Sequence, residues 1–138
     1  RRVQRIALPI VEALRGELVK CEADNILATF ERPDDAVAAA LAINDALAHS
    51  RDDSPLGAPL TAGIGIDFGK FLLIPGKDAF GDAVNTAHKL GEDVAKAWDI
   101  LVTEAVRQQA GGMEGVSFEP LEKPVSGKTR VYRVAYHR

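Results

Sequence analysis

The sequence predicts an α+β fold, a sandwich of one mostly antiparallel sheet with helices packed on it. Two observations carry that expectation. Short β-prone segments come in pairs joined by tight bends, and amphipathic helical runs fall between the pairs. The bulk numbers agree: the chain has 138 residues, 46% of them apolar, enough to exclude disorder and to bury about two thirds of the unfolded surface as one domain. No repeat, low-complexity tract or long linker divides it, so residues 1–138 read as a single domain.

Each element has its own local cause. Val3, Ile6, Ala7, Ile10, Val11 and Leu14 recur at helical spacing, and Gly16 is expected to end that helix. The pattern is already under way at Arg1, so the chain is expected to open inside a helix with sequence missing upstream. Residues 17–22 and 25–30 read as strands of an antiparallel hairpin bent at Ala23-Asp24. Pro33 in a first turn, with Asp34 and Asp35 near the positive end of the dipole, begins a helix whose apolar side is Val37, Ala40, Leu41, Asn44 and Leu47. Residues 49–59, with Pro55, Gly57 and Pro59, form a polar loop. Residues 60–68 then make a strand whose glycines admit a close neighbour, and Gly69-Lys70 is expected to turn it back into 71–74 as a second hairpin. Pro75-Gly76-Lys77 breaks that strand ahead of a helix over 81–90. A short buried strand follows at 100–102. Thr103 is expected to cap a helix over 104–109, which Gly111-Gly112 ends. Residues 116–118 and 131–136 close the fold around a Gly127-Lys128 turn.

Charge and cysteine content exclude several classes. A formal net charge of -3 leaves no basic excess for a nucleic-acid backbone. Cys21 is the one cysteine, which rules out an intrachain disulfide and a cysteine-rich zinc site and fits a reducing cytoplasm. No apolar run approaches the roughly 20 residues of a membrane helix.

Two segments could carry chemistry. Lys20-Cys21-Glu22-Ala23-Asp24 places a base and an acid around a tight hairpin, although taken alone it reads as a solvated tip. Asp78-Ala79-Phe80-Gly81-Asp82-Ala83-Val84-Asn85 leads into a helix that continues through His88 and Lys89. There Asp82 suits a first turn, while Asn85, a mediocre helix former, needs a surface position or a ligand. His49, His88 and His137 lack metal-site spacing and read as surface residues. Trp98 reads as packing, and Gly127-Lys128-Thr129 lacks the upstream glycine of a Walker loop.

Together these segments resemble the class III adenylate and guanylate cyclases. The similarity runs from Gly16 through Lys20, Asp24 and Phe30, then the alanine-rich helix, then Gly65-Ile66-Asp67-Phe68-Gly69. It continues through Asp78, Gly81, Val84, Asn85, Ala87 and Lys89 to Trp98-Asp99-Ile100-Leu101-Val102-Thr103. The resemblance implies a ferredoxin-like sandwich that works as a homodimer and converts ATP to cyclic AMP and pyrophosphate. It assigns base recognition to Lys20 and Asp78. A donor-only ammonium and an acceptor-only carboxylate complement adenine's ring acceptor and exocyclic amine, and guanine reverses that polarity. It assigns Asp24 to two divalent cations, Mg²⁺ or Mn²⁺, Asn85 to the ribose, Lys89 to the charged transition state and Lys128, loosely, to phosphate. Three departures stand out. Lys89 replaces an arginine and loses its planar fork, Ala23 replaces a glycine, and the family's first metal aspartate has no counterpart. They keep open an alternative, a degenerate cyclase-homology domain that binds nucleotide or dimerises.

Overall fold

The computed structural model describes residues 2–22, 25–50, 62–122 and 130–136. They group into two compact units, Arg1–Ala62 with Ile74–Asp78, and Gly63–Leu73 with Ala79–Arg138.

The first unit opens with helix α1 (Arg2–Ala13), which buries Ala7 and Val11. It ends in a Schellman pattern: the Arg15 N–H donates to Glu12 O at 3.1 Å and the Gly16 N–H to Val11 O at 2.8 Å. The left-handed residue is Arg15, at φ 65°, where Gly16 was the expected terminator. Gly16 answers to space instead, since a Cβ there would sit 2.4 Å from the Phe30 ring and 2.8 Å from Val11 Cγ1. Strands β1 (Glu17–Glu22) and β2 (Asn25–Thr29) pair antiparallel as the sequence predicts. Register runs Glu17 with Thr29 and Leu18 with Ala28, then slips so that Lys20 faces Leu27 and Glu22 faces Asn25. Helix α2 (Pro33–Ala48) has Pro33 in its first turn and buries Val37, Ala39, Ala40 and Leu47. Arg15 Nη2 donates to both oxygens of Asp35, at 3.1 and 3.2 Å, tying the end of α1 to the start of α2.

The second unit is built on a four-stranded sheet of order β3-β6-β8-β7, where β3 is Ile64–Ile66, β6 Ile100–Thr103, β7 Val116–Pro120 and β8 Val131–Tyr136. β3 runs parallel to β6, while β6–β8 and β7–β8 are antiparallel. All four residues of β6 are buried, which explains its unbroken apolar run. Leu90, Leu101 and Val131 form the core, with Val94, Ala95 and Leu121 against it. Helix α3 (Asp82–Lys89) passes into a π turn (Leu90–Val94) that lies on β3. The approach is so close that a Cβ on Gly65 would fall 2.3 Å from Ala87 O and 2.5 Å from Gly91 N. Helix α4 (Glu104–Ala110) closes on β6 with Val106 and Ala110 fully buried.

The α+β class stands, with corrections to its detail. Among the described residues the strands fall into three sheets, not one: β1-β2, the four-stranded sheet, and a pair β4 (Leu72–Ile74) and β5 (Asp78–Phe80). The second hairpin is therefore not β3 with 71–74. Its turn is Pro75-Gly76, where Gly76 holds φ 71° and the Lys77 N–H donates to Ile74 O at 3.0 Å, the geometry of a type II turn with proline leading. Gly69 adopts no such angle, and β3 is left to pair with β6. Asp78 thus sits on a strand, not in a helix lead-in. Thr103 occupies the N-cap position of α4, yet its hydroxyl makes no cap. It donates to Asp67 Oδ1 at 2.5 Å, which satisfies the one buried polar side chain among the described residues. Trp98, expected to pack, is 38% exposed and holds φ 72°.

Candidate functional site

The strongest pairing of predicted residues lies in the first unit. The slip in β1 leaves Val19 as the extra residue, buried at 3% exposure, and re-aims the strand beyond it. Lys20 follows at once. The type II turn returns the chain so that Asp78 opens β5. Lys20 Nζ then lies 3.1 Å from Asp78 Oδ1, with the two side chains 35% and 31% exposed. A second carboxylate shares the ammonium, Glu22 Oε1 at 3.4 Å. Hydrogen bonding to Asp78 raises the Lys20 pKa above its usual value, partial burial opposes this, and Glu22 adds to the rise. The ammonium is therefore firmly charged at neutral pH, a donor set facing two acceptors at the mouth of a hairpin.

In the second unit, Asn85 and Lys89 stand four residues apart on α3, one turn, and both are exposed. Asn85 thus takes the surface position that its poor helix propensity asks for, and its N–H donates to Gly81 O at 3.0 Å. Gly81 itself holds φ 144°, with the Phe71 backbone 3.2 Å from where a Cβ would stand, so only glycine fits where the chain turns into α3. Asp24 and Lys128 lie outside the described residues, as do the Ala23 bend, the 51–59 loop segment, the Gly127-Lys128 turn and His137. His49 and His88 are exposed, at 73% and 63% of their side chains.

Among the described residues no group of three or more His, Cys, Asp or Glu side chains could hold a metal ion. They therefore do not by themselves constitute a metal centre. No helix among them is long and apolar enough to cross a membrane.

The residue pattern singles out neither Glu22 beside Lys20 nor a network at the base of α4. There Glu104 accepts from the Arg107 guanidinium and the Tyr132 hydroxyl, and Arg107 stacks over the Tyr132 ring at 5.3 Å. The signal for Glu22 is the period-two alternation of a strand, which returns residue 22 to the face of residue 20. No comparable local signal joins Glu104 to Tyr132, 28 residues away.

No protein-family model matches the chain. The adenylate/guanylate cyclase/hydrolase from Silicibacter pomeroyi is 30% identical to it, with a TM-score of 0.80 over 96% of this chain and 80% of that one. The chain belongs to the class III adenylate/guanylate cyclase family. The fold alone is shared with the catalytic core of a rhodopsin-guanylyl cyclase with converted specificity, in complex with ATPαS, at 24% identity, a TM-score of 0.81 and coverage of 99% and 80%. A Rhizobium meliloti (strain 1021) protein provisionally named adenylate cyclase 3 is 25% identical over 117 residues, 85% of this chain. The chain spans 20% of that relative's length.

Proposed function

We propose that this domain is an adenylate cyclase, converting ATP to 3′,5′-cyclic AMP and pyrophosphate at the interface of a homodimer. The observation that carries the choice of ATP is the Lys20–Asp78 pair, 3.1 Å apart. The ammonium offers a proton to the adenine ring nitrogen, and the carboxylate accepts from the exocyclic amine. Guanine would set acceptor against acceptor at Asp78 and leave its polar edge unmatched. The relative provisionally named an adenylate cyclase supports the same choice, whereas the structural neighbours include proteins named guanylyl cyclases.

Asn85 would orient the ribose, and Lys89, one turn further on, would offset charge building on the phosphorus in the transition state. Lys128 would bind phosphate. Asp24 is the carboxylate of this chain assigned to two divalent cations, Mg²⁺ or Mn²⁺, whose chemistry when bound is to lower the pKa of the ribose hydroxyl and neutralise the leaving group.

The test is product formation from ATP and from GTP with Mn²⁺ on the full-length protein. Cyclic AMP should form in preference to cyclic GMP. Lys20→Ala and Asp78→Ala should each lower kcat/KM for ATP about 10–100-fold, the worth of a charged hydrogen bond. Equal turnover of GTP would refute the assignment of Lys20 and Asp78. The lysine at position 89 favours a second reading, a degenerate domain that binds nucleotide without turning it over. ATP binding with no product from either nucleotide would select it.

A further inference from the structure

Glu22 has no role in the reading above, yet it is the second acceptor on Lys20. Lys20 and Glu22 are two residues apart on β1, so both side chains leave the same face of the strand. An ammonium has three donors and no acceptor. One is directed at Asp78 Oδ1, 3.1 Å away, and one at Glu22 Oε1, 3.4 Å away. The third is the donor available to an incoming ring nitrogen.

We propose that Glu22 is a positioning and specificity residue for purine recognition, holding the Lys20 ammonium between two carboxylates so that its third donor meets the base. The proposal rests on the reading of Lys20 and Asp78 as the adenine-recognising pair. Lysine carries its charge on a flexible four-carbon stem, so an ammonium with Asp78 as its sole anchor would swing about that contact and compete with the exocyclic amine for the same carboxylate. Glu22 draws the ammonium partly away and leaves Asp78 able to accept from the amine. Guanine carries an acceptor where adenine carries that amine, and a swinging ammonium would satisfy it. Loss of Glu22 should therefore harm ATP binding and relax the discrimination against GTP. Glu22 is 72% exposed and so contributes little to packing, which separates this role from stability.

The experiment is calorimetric titration of the full-length protein with ATP and with GTP, comparing wild type, Glu22→Ala, Glu22→Gln and Asp78→Ala. Glu22→Ala should weaken ATP binding about fivefold, the upper range for an exposed ion pair, with GTP binding altered less than about twofold. Glu22→Gln keeps an acceptor oxygen and should recover part of the loss. Thermal unfolding should match the wild type. If Glu22→Ala keeps wild-type ATP affinity, loses ATP and GTP affinity equally, or unfolds earlier, while Asp78→Ala loses the preference for ATP, the role of Glu22 alone is overturned. If the wild type shows no preference for ATP, or Asp78→Ala retains it, the adenine reading falls and this proposal with it.

Discussion

Lys89 is the residue on which proposed turnover most depends. A lysine presents a point charge, whereas the arginine of the family pattern presents a fork that can meet two oxygens at once. Lys89→Arg should therefore raise kcat about tenfold with KM nearly unchanged, read from steady-state cyclic AMP formation. Trp98 is a different kind of residue-scale feature. It holds φ 72°, a conformation costly for any side chain with a Cβ. Lys89 is legible in the sequence as a departure from the family pattern. The backbone angle at position 98 is not, because no local rule predicts left-handed tryptophan.

At the scale of elements, α4 is fastened to β8 by Glu104, Arg107 and Tyr132. Arg107 and then Tyr132, hydrogen-bonded to its carboxylate, lower the Glu104 pKa from 4.5 to about 2 against a smaller opposing effect of burial. A depressed carboxyl stabilises the fold fully above its unfolded value, and that contribution fades as pH falls through the folded one. The difference in unfolding midpoint between wild type and Glu104→Gln should thus be constant above about pH 5 and shrink between roughly pH 4.5 and 2. The seat of α3 on β3 depends on Gly65, whose Cβ would collide with Ala87 O. Gly65→Ala should cost about 1–3 kcal/mol in urea unfolding. The sequence points to that close approach through glycines in a strand, but it does not say which backbone approaches. It also misreads which glycine makes the hairpin turn. Gly69 and Gly76 look equivalent as letters, and only Gly76 carries the positive φ that a type II turn needs.

At the scale of the whole molecule, the proposed site would be shared by two copies of the chain. Base recognition by Lys20 and Asp78 of one protomer would join metal binding by Asp24 of its partner. The impaired Lys20→Ala and Asp24→Ala proteins, mixed, should then regain about a quarter of wild-type cyclic AMP formation, since half the dimers would be mixed and each would keep one intact site. Absence of recovery in the mixture would refute a shared site.

What the chain's own residues specify is local: helix faces at 3.6-residue spacing, the β1–β2 hairpin, the buried run of β6 and the order of the cyclase-like segments. These follow from steric preference and hydrophobic periodicity, which act between near neighbours. Partnership between distant strands is another matter. That β3 lies parallel to β6, that β4 turns back onto β5, and that Lys20 meets Asp78 across 58 positions of sequence are outcomes of packing. Many pairings satisfy the same local pattern, and long-range burial and hydrogen-bond satisfaction choose among them.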